Sequence, residues 1–304
     1  MEINNIHVNL VKKSTITFPN ISIIIRCKNE SKSIEKCIRA ILSQKTNEKY
    51  EIIVIDSGST DKTIDLAKKY NVTIYTIPSE QFQFGSSINL GIKLAEGKYC
   101  VFVSAHAIPA NNVWLAELIG PMQKDERIAG TFSRQLYYDT SDFIQKRHID
   151  ETFESKNRRY KISSGTFRQN LKDICFSNAS SCIKKKVGLV IPFKNVIASE
   201  DREWAYRVMK DGYEIEYVST SLIFHVHDET PAQWYRRIYI NSKALKCFAG
   251  IGINVFEIIP LWGWEVRKDI KYCRDKNIKI TSSIFKEAIK YEYLYAIAHF
   301  KGSK

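Results

Sequence analysis

The 304-residue sequence contains no apolar run long enough to cross a bilayer, and its first twenty residues lack the hydrophobic stretch of a signal peptide. The nearest candidate, residues 247–264, is interrupted by Asn254, Glu257 and Pro260, which favours a buried or interfacial segment. No two of the seven cysteines form a C-x-x-C pair. Scattered thiols in apolar segments are typical of the reducing cytoplasm, so we expect a cytoplasmic protein.

Acidic residues are the scarcer charge, with 33 Asp and Glu against 46 Lys and Arg, which gives a formal net charge of +13. A basic surface favours anionic partners, and nucleic acid, anionic lipid and phosphate-bearing substrates all qualify. The hydrophobic fraction of 44% and the charged fraction of 26% are those of an ordinary globular protein. The length fits one large α/β domain, or a domain with an appendage.

Three familiar glycine-containing signatures are missing. No G-x-G-x-x-G follows the first apolar run, and neither G-x-x-x-x-G-K-[ST] nor G-x-S-x-G occurs anywhere. These absences argue against a Rossmann-type dinucleotide site, a P-loop and the nucleophile turn of α/β-hydrolases.

Apolar, β-branched runs alternate with amphipathic segments in the first third of the chain. Strands are predicted at residues 21–25, 51–55, 72–77 and 99–103, and helices at 31–44, 61–70 and 86–95. This alternation predicts an α/β fold with a mostly parallel sheet flanked by helices. Further strands are expected at 214–218 and 222–224, and residues 176–181 are expected to be a strand that enters a loop. From residue 231 onward the chain is predicted to be helical and basic.

Polar residues follow three of the predicted strands, at the edge where open α/β sheets bind ligands. These segments are 26–30, 56–61 and 104–106. In the second of them, the Asp56 carboxylate is suited to accept a hydrogen bond from a base or a ribose. The alternative is that Asp56, Gly58 and Asp61 form an ordinary turn and helix cap.

The ordered combination of these motifs resembles the family 2 glycosyltransferases, which have the GT-A fold. The resemblance runs through segments 26–30, 56–61, 89–91, 95–99, 199–207, 225–227 and 234–237. It covers about residues 20 to 240, and its later motifs are most similar to the rhamnosyltransferase-type members that build bacterial surface polysaccharides. It implies a transferase domain over residues 1–240 and a helical extension over 241–304, packed on that domain or at a membrane surface.

The resemblance implies inverting transfer of a sugar from a nucleoside diphosphate to a hydroxyl of a saccharide or lipid-linked saccharide, with no nucleic-acid partner. It implies that Asp201 is the base that takes the acceptor proton and that Glu200 supports or orients it. Taken locally, the same two residues are equally suited to cap the following helix. The residues implied in nucleotide binding are Cys27, Asn29, Glu30, Asp56, Ser57, Gly58, Asn89 and Ser104.

The segment Ser104–Ala105–His106 departs from the family pattern, because such enzymes have an Asp-x-Asp-like motif there whose last carboxylate binds a divalent metal. His106 therefore has three open roles: a ligand of Mn²⁺ or Mg²⁺ together with His225 and His227, a direct contact to the diphosphate without metal, or a structural residue. Imidazole suits Mn²⁺ better than Mg²⁺. His225 and His227 are two residues apart on a predicted strand end, so their side chains point the same way. A solvated loop pair is the alternative for them.

Basic residues close the sequence. Arg236 and Arg237 are suited to pair with a diphosphate, or to form a solvated helix face. Six further cations follow Trp262 and Trp264: Arg267, Lys268, Lys271, Arg274, Lys276 and Lys279. Aromatic residues beside cations are typical of peripheral contact with a membrane, here at the inner face of the plasma membrane, although an ordinary charged helix gives the same pattern.

Two rival functions fit parts of the sequence. A nucleotidyltransferase would want a glycine-rich phosphate loop directly after the first strand, where segment 27–30 has no glycine. A non-catalytic relic that binds nucleotide sugars would explain why His106 replaces the metal carboxylate.

Overall fold

A computed structural model describes residues 1–3, 6–227 and 229–304. The strands are β1 Glu2–Ile3, β2 Ile6–His7, β3 Asn9–Lys12, β4 Ile21–Cys27, β5 Tyr50–Asp56, β6 Thr73–Thr76, β7 Tyr99–Ser104, β8 Ile108–Pro109, β9 Ile128–Leu136, β10 Arg158–Tyr160, β11 Ser180–Lys184 and β12 Glu214–Phe224. The helices are α1 Ile34–Leu42, α2 Thr63–Ala67, α3 Phe84–Leu94, α4 Trp114–Lys124, α5 Phe143–Thr152, α6 Lys185–Val190, α7 Glu200–Lys210, α8 Pro231–Ala249, α9 Ile258–Asp275 and α10 Ser282–Gly302. Short 3₁₀ turns lie at Ser79–Gln81, Leu171–Asp173 and Val255–Glu257.

One large mixed sheet organises the molecule, in the order β10-β12-β9-β11-β7-β4-β5-β6-β3, with β8 paired to β12. The central strands β7, β4, β5 and β6 run parallel, and β12 runs parallel to β9. Strand β11 is antiparallel to both of its neighbours, β7 and β9. The predicted α/β fold is confirmed, and its parallel centre brings the carboxyl ends of β4, β5 and β7 to one edge.

The sheet is buried on both faces because its central strands are almost wholly apolar. In β4, Ile21, Ile23 and Ile25 pack on the face covered by α1 and α4, whereas Ile24 packs on the face covered by α3 and α7. Each of these side chains is fully buried. Burial of one such side chain stabilises the fold by roughly 1.5–3 kcal/mol.

Two predicted elements are wrong in detail. The loop precedes the strand at 176–181: β11 starts only at Ser180, and Phe176 is buried in the core from the loop before it. The segments 214–218 and 222–224 form one strand, β12, with a register shift between Val218 and Leu222. Polar Ser221 is tolerated inside this strand because its hydroxyl donates to the Trp114 carbonyl, 3.0 Å away.

The C-terminal helices α8, α9 and α10 pack with α5 around a small separate core. Its members are Phe143, Ile144, Trp234, Ile238, Cys273, Ala288 and Ala298. Helix α8 starts with a capping box between Thr230 and Gln233 and ends at Gly250, which has a left-handed φ of 65°. The predicted division at residue 240 therefore falls inside a continuous helix. Within the described ranges, no helix has the length and apolar character needed to cross a membrane.

Candidate active site

The end of β5 forms a tight turn that Asp56 holds together. Its Oδ1 accepts hydrogen bonds from the backbone N–H groups of Gly58 (3.0 Å) and Ser59 (2.9 Å), and its Oδ2 accepts one from the Ser59 hydroxyl. Gly58 has a φ of +82°, and a Cβ there would come 2.3 Å from Ser79 Oγ, so this turn requires glycine. Asp56 is fully buried and both of its oxygens are used within the turn.

Most of the residues implied in nucleotide binding join this turn. The Cys27 thiol lies 3.6 Å from Asp56 Oδ2, and Ser57 Oγ donates to the Cys27 carbonyl over 3.2 Å. Asn29 adopts a positive φ of 56°, and its amide oxygen accepts from the Thr60 N–H over 2.8 Å. These contacts place the residues implied at the ends of β4 and β5 in one hydrogen-bonded cluster.

Asn89 lies apart from that cluster. On α3, its side-chain amide pairs with the backbone of Phe193 through bonds of 2.8 and 2.9 Å. Asn89 thus links the loop after α6 to helix α3. Its predicted contact with a nucleotide has no support from its position.

A cavity of about 960 Å³ opens at the carboxyl edge of the sheet and extends towards α5 and α8. Six of the predicted site residues line it: Ser104, His106, Glu200, Asp201, His225 and His227. A smaller cavity of about 460 Å³, lined by Asn20, Lys98 and the segment 184–186, contains none of the predicted site residues. The larger cavity is therefore the candidate active site.

Three histidines converge in this cavity from two strand ends. The ring centroids of His106 and His225 are 5.1 Å apart, and that of His227 lies 5.3 Å from the first and 4.6 Å from the second. One ring nitrogen from each lies within 4.8 Å of the others. Burial lowers the pKa of His225 well below its usual value, and burial together with the Arg237 charge lowers the pKa of His227 to about 4. Both rings are therefore neutral at pH 7 and keep a lone pair.

Glu30, implied in nucleotide binding, instead contacts the histidine cluster. Its Oε1 lies 2.8 Å from His106 Nδ1, and its backbone N–H donates to Thr63 Oγ1 over 2.7 Å. Burial would raise the pKa of Glu30, but hydrogen bonds from His106 and Ser33 outweigh it and hold that pKa below its usual value. Glu30 is thus an ionised partner of His106 that lies between the β5 turn and the cavity.

Asp201 and Glu200 open helix α7, directly after Ser199 in a left-handed conformation with φ 58°. Asp201 accepts hydrogen bonds from the backbone N–H groups of Arg202 (2.8 Å) and Asn178 (3.3 Å). Burial, followed by repulsion from Glu200, raises the pKa of Asp201 to about 7. A carboxylate with such a pKa can take a proton from a substrate near neutral pH.

Several residues of the cavity were not identified from the sequence. Arg26, at the end of β4, lines the cavity and donates to Ser87 Oγ over 3.2 Å. Its position at the end of the first predicted strand was a sequence signal that could have identified it as a cavity residue. Gln135 and Asn178 also line the cavity. They come from segments with no recognisable motif, and only the pairing of β9 and β11 brings them there.

The two predicted phosphate-binding arginines differ in environment. Arg237 makes a two-pronged contact with Glu229, with distances of 2.8 and 2.9 Å, and lies over the Trp234 ring. Arg236 also lines the cavity, and no acidic group in the described part of the chain pairs with it. Of these two arginines, Arg236 is therefore the one available to a ligand.

Known proteins share this fold and sequence pattern. The family model described as "Glycosyl transferase family 2" matches residues 22–186. An O-antigen chain rhamnosyltransferase of Salmonella anatum is 27% identical over 228 residues, 71% of each chain. A protein of Methanococcus voltae named "Dolichyl N-acetyl-alpha-D-glucosaminyl phosphate 3-beta-D-2,3-diacetamido-2,3-dideoxy-beta-D-glucuronosyltransferase" is 40% identical over 249 residues, covering 74% of this chain and 72% of that one.

Two solved structures show the same architecture. A mannosyltransferase from Pyrobaculum calidifontis, in complex with GDP-Man and Mn²⁺, has a TM-score of 0.61 at 15% identity and covers 95% of this chain and 90% of its own. A glucosyl-3-phosphoglycerate synthase from Mycobacterium tuberculosis, with Mn²⁺ and UDP, has a TM-score of 0.53 at 18% identity, over 77% and 81% of the two chains. The GT-A fold implied by the sequence is confirmed, and the chain belongs to glycosyl transferase family 2.

Proposed function

We propose that this glycosyltransferase transfers a sugar, with inversion, from a nucleoside diphosphate to a hydroxyl of a saccharide or lipid-linked saccharide, in the synthesis of a bacterial surface polysaccharide. The observation that carries the proposal is that one cavity is lined by Asp201, which has a pKa near 7, by His106 and by Arg236. Relatives named as O-antigen rhamnosyltransferases support the substrate class.

Asp201 acts as the base in this proposal. Its hydrogen bonds from two backbone N–H groups fix the carboxylate, and its raised pKa lets it hold the acceptor proton after attack on the sugar carbon. Glu200, which is 6% exposed, keeps the pKa of Asp201 high through its charge. Glu200 is therefore a positioning and tuning residue rather than a second base.

His106, His225 and His227 have the chemistry of a divalent metal site. The fit rests on His106 Nε2, which is buried without a hydrogen-bond partner in the described structure, and on three ring nitrogens within 4.8 Å of one another. Two nitrogens bound to one ion at about 2.1 Å lie at most about 4.2 Å apart, so small ring rotations suffice. A bound divalent ion would stabilise the negative charge of the departing diphosphate.

Arg236 and Arg26 supply protein charge to the cavity. Guanidinium groups pair with phosphate oxygens through parallel hydrogen bonds. Arg236 has no acidic partner in the part of the chain that is described, so a phosphate would not have to displace one.

The β5 turn lies next to the cavity, and a nucleoside contact by Asp56 remains a prediction. It would show as nucleotide affinity lowered by about 1–3 kcal/mol in a folded Asp56→Ala variant.

Peripheral contact with an anionic membrane is the second part of the proposal. Along α9 and the turn before it, Phe256, Ile259 and Trp264 are 86%, 73% and 61% exposed. Phe256 and Ile259 are three residues apart, and Trp264, Arg267 and Lys271 follow at spacings of three and four residues, so each set lies on one side of its turns. Exposed apolar side chains close to cations suit the headgroup zone of an anionic bilayer.

Two of the six predicted membrane-facing cations have other partners. Lys268 pairs with Glu151 and Glu265, at 2.8 and 3.1 Å, and Lys276 pairs with Asp150 at 3.0 Å. The electrostatic part of the contact therefore rests on the remaining cations, while the exposed apolar residues supply the rest.

A thermal-shift panel tests donor binding. UDP, GDP and dTDP, each with EDTA, Mg²⁺ or Mn²⁺, should give at least one stabilising combination, because a ligand of the folded state raises its stability by about 2.7 kcal/mol at a hundredfold excess over Kd. The stabilising nucleotide then selects the sugar donors for a transfer assay. If no nucleotide stabilises the protein and no donor is turned over, the proposed function is wrong.

A flotation assay tests membrane contact. The wild type should float with vesicles rich in phosphatidylserine at low salt, and the double variant Phe256→Ser/Trp264→Ser should not. Phe18→Ser is the matched control, since Phe18 is 91% exposed but lies before β4 in the sequence. A wild type that never floats would contradict the contact without touching the transferase proposal.

A further inference from the structure

The hydrogen bonds behind the histidine cluster determine which ring nitrogen faces its centre. Glu30 Oε1 lies 2.8 Å from His106 Nδ1. An ionised carboxylate can only accept, so His106 Nδ1 must carry the proton. In a neutral ring the lone pair then belongs to Nε2, the buried atom that has no partner in the described structure.

His225 is held in the same way by a neutral group. The amide nitrogen of Gln135 donates to Ser177 Oγ over 2.9 Å, which turns the amide oxygen towards His225 Nδ1, also 2.9 Å away. That oxygen can only accept, so Nδ1 of His225 is protonated and Nε2 bears the lone pair. Gln135 is only 8% exposed, so packing holds its side chain in place.

In a second cluster of possible metal ligands, an arginine side chain occupies the place that a metal ion would take. His148, Glu265 and Glu292 also place ligand atoms within 4.8 Å of one another. There, however, the Arg147 guanidinium donates to Glu265, Glu292 and His148 over 2.8, 3.0 and 3.1 Å. In the described structure no basic side chain donates to His106 Nε2.

We propose that Glu30 and Gln135 are positioning residues that fix His106 and His225 as Nδ1–H tautomers, so that both rings present Nε2 to one transition-metal ion such as Mn²⁺, Co²⁺ or Zn²⁺. This inference rests on the metal site of the proposed function and gives Glu30 a task other than nucleotide contact. Partners on the far nitrogen orient ligating imidazoles and raise their basicity. Imidazole ligands favour these ions over Mg²⁺.

Metal affinity is the first test. Titration calorimetry with Co²⁺ and with Mn²⁺, supported by the visible spectrum of bound Co²⁺, should show affinities about 10–100-fold weaker for Glu30→Leu and for Gln135→Leu. Glu30→Gln and Gln135→Glu keep an acceptor at the same place and should bind like the wild type. Glu35→Leu is the matched control, because Glu35 pairs with Arg39 and Tyr70 and not with a histidine.

The tautomers can be measured directly in the wild type, which removes the risk that a variant fails to fold. Long-range ¹H–¹⁵N spectra of histidine-labelled protein in EDTA should show His106 and His225 protonated at Nδ1. Protonation at Nε2 in either ring, or wild-type Co²⁺ affinity in both Glu30→Leu and Gln135→Leu, would overturn the inference.

Failure of this inference is distinguishable from failure of the proposed function. A wild type that binds neither ion, yet binds a nucleotide and transfers sugar in EDTA, overturns the metal inference and leaves the transferase intact. Tight binding of Co²⁺ with the expected tautomers, but no nucleotide binding under any condition, supports the inference and overturns the proposed function.

Discussion

Two regions of the molecule bury several carboxylates, and the regions differ in whether a buried cation contacts those carboxylates. In the C-terminal helices, Glu265, Asp269 and Glu292 surround Arg147, which is 1% exposed and lies 2.6–3.0 Å from each of them. In the cavity, Glu200 and Asp201 lie beside each other, and no ion pair to either is found among the described residues. Acids that contact a buried cation directly hold helices together, whereas acids without a direct ion pair are available to a substrate.

The pKa values follow from the same contrast. Burial raises the pKa of Asp269 to about 7 even though the Arg147 charge opposes it. Burial and the Glu200 charge raise the pKa of Asp201 to about the same value. Similar pKa values thus have different consequences, because Asp269 contacts only protein groups while Asp201 lines a cavity of about 960 Å³.

Removing the buried cation should have the largest effect. Arg147→Met removes the buried counter-charge that three carboxylates share, leaving only Lys268 beside Glu265, and should lower the free energy of unfolding by about 3–5 kcal/mol. Because the carboxylates then favour protonation, the loss should be greater at pH 8 than at pH 5. Urea denaturation measures both effects. Arg127→Met is the control, since the Arg127 guanidinium is exposed and a surface ion pair of this kind contributes little to stability. Equal losses in the two variants would contradict a structural hub at Arg147.

Removing the proposed base should affect turnover and not stability. Asp201→Asn should lower kcat by roughly 10²-fold or more, the usual worth of general base catalysis, while nucleotide affinity is kept. Its unfolding free energy should stay equal or rise, because a repulsive buried charge is lost. Asp211→Asn, at the other end of α7, is the control. Near-normal transfer by the Asp201→Asn variant would exclude Asp201 as the base.

A buried histidine, His299, makes the stability of the C-terminal helices depend on pH. Burial lowers the pKa of His299 to about 4, and its Nδ1 lies 2.8 Å from Ser242 Oγ. Between about pH 6.5 and pH 4 the unfolded chain takes up a proton at this residue and the folded chain does not, so stability falls as pH falls. The contribution reaches about 2–3 kcal/mol at pH 4. His299→Gln should lessen the loss across this window, and identical pH profiles of the two proteins would refute the assignment.

The smallest expected effect is a shift in a pH profile. Because the proposed base, Asp201, must be ionised to take a proton, the wild-type rate should rise with pH through about 7. Glu200→Gln removes the neighbouring negative charge, lowers the pKa of Asp201 and should move the rise to lower pH. Steady-state kcat between pH 5 and pH 9 measures the midpoint. A midpoint that stays in place would mean that Glu200 does not tune the base.

Local sequence determined the elements and the turn. The run Ile21–Ile25 specifies a buried strand because every side chain is β-branched or small, and segment 56–59 specifies its turn because Gly58 alone fits a φ of +82° there. The acidic start of α7 could likewise be predicted from the sequence, since acidic side chains in a first helical turn are adjacent in sequence to the backbone N–H groups that they stabilise.

Tertiary structure alone decided which of these residues share a site. Glu30 lies 76 residues from His106 in sequence, and Gln135 lies 90 residues from His225. The parallel pairing of β4 with β7 and of β9 with β12 brings them into contact. Asn89, on α3, is not among the residues that line the cavity, and its side chain pairs with the backbone of Phe193. Hydrogen bonds within a turn are specified by adjacent residues, but the tautomer of a ring and the pKa of an acid depend on groups that only the completed sheet brings within about 3 Å.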